Sequence, residues 1–416
     1  MKLKQLDMYK LITRLSSKFT LADIGLSWIL FFSIVYQKIV PIGFGLMLLS
    51  LVFVRQTITK KELISFFSKG PAMWFILYYF LLVIGLLWTE NQVFAFSKLE
   101  NKMAFILMPI LLLFTVRKWG NYEWKKLLIY ALLFALVMYE ILAMWRYIGQ
   151  TENSWEFEFL SSRFAIFMHR SYFACYLVIG IILIVDNLKA VFSLSNLSLI
   201  IFFSIGVIQT GSKAGVVCLM TLFLFQLFSF VKLKNTKFNW VLSFSIILFS
   251  IVLFTNNPIK TRFETMWSAL GNVQITNNNS VESNTARVIM WKTSIDVWKD
   301  NFVFGTGTGD YDDELTSKNL YYNNLGVAKE RLNSHNQFLN TAVQLGLVGF
   351  IILLAVFLSS YFLSDRKLWQ SLILLVFFIN FLVESFLETQ SGIILFCTLI
   401  LLFYPRNKDE KLSITN

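Results

Sequence analysis

Long apolar runs alternate with short polar connections along most of this 416-residue chain. About twelve runs approach the length needed to cross roughly 30 Å of hydrocarbon. They fall near 21–36, 39–54, 72–88, 103–116, 126–149, 164–185, 195–210, 212–231, 239–255, 339–363, 368–385 and 391–404. Each is predicted to be helical, because a bilayer leaves backbone N–H and C=O groups no partner outside their own segment. Several runs are short, so two are candidates for re-entrant or strongly tilted segments. One connection, 256–338, is far longer than the rest. The pattern therefore predicts an all-α polytopic membrane protein with about 12 transmembrane helices. It divides into 1–255 with nine spans, 256–338 as one large helical loop, and 339–416 with three spans and a tail.

Composition agrees with that class. The chain is 56% hydrophobic, 17% aromatic and 15% charged, whereas soluble domains are about 25% charged; its mean hydropathy is +0.62. The formal charge of +12 invites a nucleic-acid reading, but its distribution removes it. Basic residues crowd the N-terminal segment (Lys2, Lys4, Lys10, Arg14, Lys18), alternate connections such as Arg55–Lys69 and Lys232–Lys237, and the C-terminal tail. That bias marks the cytoplasmic side, so both termini are expected inside and the large loop outside. The first twenty residues lack an apolar core with a cleavage site, and no removable signal peptide is expected. Cys175, Cys218 and Cys397 all fall in predicted spans, where thiols serve as packing; no metal, disulfide or other cofactor is expected from them.

The large loop holds the chemistry-bearing residues. "TARVIMWKTSIDVWKD" (285–300) predicts a helix capped by Asn284 or Thr285, with Arg287, Trp291, Ser294 and Trp298 along one face. The tryptophans suit an interfacial position. "GTGTGDYDDEL" (305–315) lacks the strand and the G-K-[ST] of a phosphate loop, so a turn leading back to the membrane is expected. Asp310, Asp312 and Asp313 read first as a solvated acidic cluster and second as a divalent-ion site. "NSHNQFLNTAVQLGLVGF" (333–350) begins polar and ends as a span. With Asn333 or Ser334 as N-cap, His335 enters the first helical turn, where the dipole suits anions and favours neutral imidazole. General base, phosphate ligand and headgroup anchor all remain open for it.

Charges near spans are costly and usually have a partner or a task. Lys213 lies in "QTGSKAG" (209–215), Arg170 in "FMHRSYFACYL" (167–177) beside His169, and Arg146 near the outer end of span five; snorkelling is the alternative for each. Glu140 lies within span five. Glu384 and Glu388, in "NFLVESFLETQSG" (380–392), are spaced for one helical face, and a salt bridge to one of the cations is an open reading for them. Glu90 and Glu100 mix with Lys98 and Lys102 in a segment read as solvated and amphipathic.

"TGSKAG", the helix with Arg287, "FVFGTGTGDY" and "NSHNQFLNTAVQLGLVG", in this order, resemble the bacterial O-antigen ligase and polymerase superfamily over about 205–350. "HRSYFACYL" and "ESFLETQSG" look similar too; the N-terminal spans match only as generic membrane helices. The resemblance implies a GT-C-like, metal-independent glycosyltransferase of the bacterial inner membrane with its large loop in the periplasm. It would move a glycan from undecaprenyl diphosphate to an acceptor hydroxyl on a lipid A–core, a growing glycan or a protein. It places His335 at the family's loop histidine, base or diphosphate ligand, and Arg287 at its essential loop arginine. Lys213 stands where arginine is usual, which keeps the charge but loses the bidentate fork. Arg170 is a lesser diphosphate candidate. A polysaccharide-lipid flippase or transporter is the alternative of another class; it predicts a repeat between halves and broken helices at mid-membrane. A membrane scaffold or receptor is the third reading.

Overall fold

The computed structural model describes residues 20–53, 60, 64, 66–67, 70–115, 123–149, 154–188, 194–233, 283–363 and 367–403. Among them there is no strand. Apolar helices are α1 (Leu21–Val35), α2 (Val40–Phe53), α3 (Pro71–Ile84), α5 (Ala104–Thr115), α6 (Glu123–Gly149), α8 (Arg170–Leu188), α9 (Leu194–Gln209), α10 (Lys213–Leu233), α14 (Gln337–Phe362), α15 (Lys367–Val383) and α16 (Gln390–Phe403). Polar or short helices are α4 (Gln92–Lys102), α7 (Trp155–Phe159), α11 (Ser283–Asp300), α12 (Tyr311–Tyr321) and α13 (Leu325–Lys329). Helices thus stand at every predicted span except 239–255, which lies outside the described residues, as do 1–19 and the polar stretch 271–282. Among the described residues, Trp124–Gly149 and Gln337–Phe362 are the two helices long and apolar enough, by length and composition, to cross a membrane.

Helix α8 is the axis of the bundle. Every residue from Ser171 to Val185 is buried, as a helix apolar on all sides must be, and α6, α9, α10 and α15 pack against it. Close approach is bought by small residues, since a Cβ on Gly215 would sit 2.4 Å from that of Ala174. Outward faces of α2, α3, α6 and α14 carry exposed Leu49, Val52, Phe80, Ile141, Ile351 and Phe362. So much apolar surface on several helices suits contact with lipid rather than water.

Helix α14 departs from the continuous span that the apolar pattern predicts. Gly346, at φ 65° and ψ −162°, breaks it. A glycine in an apolar run looks harmless in sequence, but here the chain of helical hydrogen bonds is interrupted. The "FVFGTG" segment takes up the released groups. Thr306 N–H donates to Val343 O (2.9 Å) and Gly307 N–H to Gln344 O (3.1 Å), while Leu347 and Val348 N–H groups donate to Phe302 O (2.8 Å) and Val303 O (3.3 Å). Backbones approach so closely that a Cβ on Gly346 would lie 2.2 Å from Val303 O, and one on Gly305 would lie 2.5 Å from Gly346 N. The glycine-rich string is therefore a turn that plugs a broken helix.

Over the N-terminal half of α14, the helices α11, α12 and α13 form a second small core of Ala286, Ile289, Met290, Val297, Tyr311, Leu315, Val327 and Val343. Trp298 stacks on Phe302 at 5.4 Å and lies 6.1 Å from Phe350, so it ties the loop to α14.

Gly346→Ala is expected to lower the midpoint of thermal unfolding in detergent, since its backbone region is open essentially to glycine alone and strain there costs about 1–3 kcal/mol. Gly45→Ala, inside α2 where the new Cβ meets nothing within 4 Å, is the control expected to keep or slightly raise the midpoint. Equal midpoints for the two variants would contradict the role assigned to Gly346.

Candidate active site

Three elements distant in sequence converge on Glu384. It follows the last residue of α15 and is 5% exposed. Arg287 donates from Nη2 to Oε1 at 2.8 Å and from Nε to Val383 O at 3.2 Å. Ser171 Oγ, one residue into α8, donates to the same Oε1 at 3.1 Å. His335 Nδ1 lies 3.5 Å from Oε2, the outer limit of a hydrogen bond. Burial acts to raise the Glu384 carboxyl, but the His335 contact and the Arg287 charge outweigh it and hold it at about 2. The Arg287 and His335 side chains keep 20% and 28% exposure, so both remain reachable from outside.

The local position of His335 differs from the sequence expectation. The N-cap of α14 is Asn336, whose side chain accepts from Leu339 N–H. His335 precedes it at φ 43°, outside the helical turn, so the dipole argument for a neutral ring does not apply as framed. The cap moves because Asn333 is used otherwise: its Oδ1 accepts the His335 N–H (2.9 Å) and the Ser385 hydroxyl (3.0 Å). Such an asparagine turn supports a left-handed residue two positions on and aims the imidazole across at Glu384.

Lys213 begins α10, and its ammonium donates to Asn284 Oδ1 at 2.8 Å. Asn284 lies one residue into α11, about one turn before Arg287, so Lys213 stands beside that arginine. Arg170 is the first residue of α8, not a residue inside a helix, because 160–168 is turn and bend. His169, the other histidine, precedes it. Burial pushes its imidazole down from the ordinary value, Glu384 acts upward, and Arg170, His335 and Arg287 act downward. Both histidines thus feel the same carboxylate. Arg146 is committed elsewhere, to buried Glu158 at 2.7 Å and to Arg163 O.

Glu384 and Glu388 do not share a helical face. Helix α15 ends at Val383, and Phe386–Glu388 forms a 3-10 turn that carries Glu388 away. Glu388 accepts from Lys98 (2.8 Å), Lys102 (2.7 Å), Tyr311 OH (2.8 Å) and Asn340 (3.1 Å). Lys102 is 1% exposed and Lys98 partly buried, so the α4 lysines are ion-pair partners rather than the solvated residues the pattern suggests. Burial opposes ionisation of Glu388, yet Lys102 and Lys98 hold it at about 2. The acidic run after the glycines disperses as well. Asp310 accepts the Glu90 and Asn91 N–H groups at 2.8 Å each, and Asp313 pairs with Asn91 and Arg331. Among the described residues no group of His, Cys, Asp and Glu is arranged to hold a metal ion. The three cysteines are buried and free.

Sequence reasoning left Glu384 as a possible ion-pair partner and did not connect it with His335. The clue was the stripe Asn333, Asn336, Gln337, Asn340 and Gln344, too polar for the face of an ordinary span.

A carboxyl held at about 2 against an ordinary value of about 4.3 stabilises the fold above its ordinary value, and that stability is lost as pH falls toward 2. The destabilisation caused by Glu384→Gln is therefore expected to be largest at pH 7 and to shrink below about pH 4, read from thermal unfolding across pH. A deficit constant with pH would contradict the assignment.

Among known proteins, a Haemophilus influenzae protein described as "Uncharacterized protein" is 32% identical over 145 residues, covering 30% of this chain and 35% of its own length. The match thus spans about a third of that relative. Residues 197–354, which hold Lys213, Arg287 and His335, match the family model described as O-antigen ligase, and this partial match supports the resemblance to the O-antigen ligase superfamily.

Proposed function

We propose that this protein is a membrane glycosyltransferase that moves a glycan from undecaprenyl diphosphate to an acceptor hydroxyl at the periplasmic face of the bacterial inner membrane. The observation that carries the reading is the convergence of His335 and Arg287 on Glu384, within a bundle whose 197–354 segment matches O-antigen ligase. About twelve spans in a GT-C-like arrangement, both termini cytoplasmic and 256–338 periplasmic, complete the reading. On it the chain keeps the division into 1–255, 256–338 and 339–416.

In this scheme Arg287, Lys213 and Arg170 receive the donor's diphosphate. Glu384 holds Nδ1–H of His335, which leaves Nε2 to take the acceptor proton. The acceptor oxygen bonds to the anomeric carbon as its bond to phosphate oxygen breaks, with inversion. The proton passes to His335 and then to solvent, and undecaprenyl diphosphate departs. Charge grows on the leaving phosphate as that bond breaks, so fixed cations there stabilise the transition state more than the bound donor. Side-chain cations carry this task, and no metal or other cofactor takes part. A lipid A–core acceptor makes the enzyme a ligase, a growing repeat unit a polymerase, and a protein hydroxyl an O-oligosaccharyltransferase.

One observation favours the second reading, a transporter of lipid-linked glycan: the broken helix at Gly346. Transporter breaks line a cavity with free backbone groups, whereas this one is filled by residues 302–307. That speaks for a structural use of the break.

His335→Ala and Arg287→Ala are each expected to reduce transfer by about 10²-fold or more in a purified assay with undecaprenyl-diphosphate-linked glycan and no energy source. Near-normal transfer by either would remove the proposed site. His335→Lys and His335→Gln then separate base from ligand: a base predicts that neither restores transfer, and recovery with lysine alone makes the residue a diphosphate ligand.

A further inference from the structure

The transfer scheme uses Glu384 but leaves the buried cluster around Glu388 without a task. Lys98, Lys102 and Glu388, with the carboxyl of Asp312 near enough to interact with Lys98 and Glu388, form a charged cluster in a site where Lys102 and Glu388 are 1% and 7% exposed. Burying such a cluster is weak evidence for stability, because apolar residues of similar volume serve as well. A geometric purpose explains it better.

That geometry is a ladder. Asn333, Asn336, Gln337, Asn340 and Gln344 recur at helical spacing, and each makes a hydrogen bond toward the 382–388 segment or its lysine. Asn333 Oδ1 accepts from Ser385 Oγ (3.0 Å), and Asn336 Nδ2 donates to Leu382 O (3.1 Å). Gln337 Oε1 accepts the Leu387 N–H (2.6 Å), and Asn340 Nδ2 donates to Glu388 Oε1 (3.1 Å). At the far end, Lys102 Nζ joins Gln344 Oε1 (3.1 Å) to Glu388 Oε1 (2.7 Å). The ladder fixes both strands of the site at once: His335 belongs to one side, Glu384 to the other. Glu388 is its terminal rung, four residues from Glu384 along a tight turn.

We propose that Lys102 and Glu388 are positioning residues for the transfer reaction, anchoring the turn that places Glu384 against His335 and Arg287. The inference rests on the reading of that trio as the transfer site. It makes α4, in a different connection from the catalytic loop, part of the machinery. Misplacement of a catalytic group by about 1 Å costs up to about 10²-fold in rate, so a slack anchor acts at a distance.

The test is a double-mutant cycle on the full-length purified protein. Lys102→Met leaves the Lys98–Glu388 ion pair in place. It is expected to lower kcat per folded molecule about tenfold, with the donor KM within about twofold. In a Glu384→Gln background the same substitution is expected to cost little more, because the device acts through Glu384. Asn340→Ala, which removes one uncharged rung, is expected to act in the same direction and more weakly, and it serves if Lys102→Met does not fold. An unchanged kcat per folded molecule, or a loss that multiplies in full in the double variant, overturns the proposal. Should His335→Ala and Arg287→Ala leave transfer intact, the site reading itself fails; should they abolish it while the cycle shows independence, the ladder alone is wrong.

Discussion

A carboxylate removed from water must be met by cations and hydrogen-bond donors, or it will not stay ionised. Glu384 is such a group, and meeting its demand joins the large loop to the helices beside it. Arg287 comes from the large loop, Ser171 from the central helix α8, and His335 from the approach to α14. Three segments spread over more than 160 residues of chain, from Ser171 to His335, are thereby drawn to one point. The same demand repeats four residues on, where Glu388 gathers α4, α12 and α14. The two acids flank one short turn, and their opposite directions make that turn a strut between the membrane helices and the loop.

A second constraint comes from the backbone. Breaking α14 at Gly346 releases polar groups in a region short of water, and the "FVFGTG" turn satisfies them. The plug also brings Thr308 to α3, where its hydroxyl donates to Leu82 O at 2.6 Å, and Asp310 to the Glu90 and Asn91 N–H groups. Loop, broken helix and α3 are locked together, so the platform under His335 is stiff. Stiffness suits chemistry that needs a base and a leaving-group clamp held at fixed separation.

Much of this was legible from the chain, and the rest was hidden for identifiable reasons. Apolar runs located the helices because backbone satisfaction in lipid permits little else. Arg287, Lys213 and His335 stood out because a charge or imidazole at a membrane boundary is rare. The break at Gly346 was not legible, since its cause is a backbone forty residues away at Val303. Lys98 and Lys102 read as solvated because their partner, Glu388, lies nearly three hundred residues downstream. The cap of α14 falls two or three residues beyond the expected Asn333 or Ser334 because Asn333 is occupied by a turn. Glu384 and Glu388 were assigned to one face because a sequence does not announce where α15 stops.

The central claim is that a lipid-borne diphosphate docks beside Arg287, which Glu384 holds near His335, with Lys213 bonded to Asn284 on the same helix α11. A structure of the protein with bound undecaprenyl diphosphate tests it most directly. The account predicts phosphate oxygens within hydrogen-bonding distance of the Arg287 guanidinium, with the His335 imidazole facing the side from which an acceptor enters. Diphosphate bound at another surface, with Arg287 still paired to Glu384 and His335 turned away from it, would contradict the account.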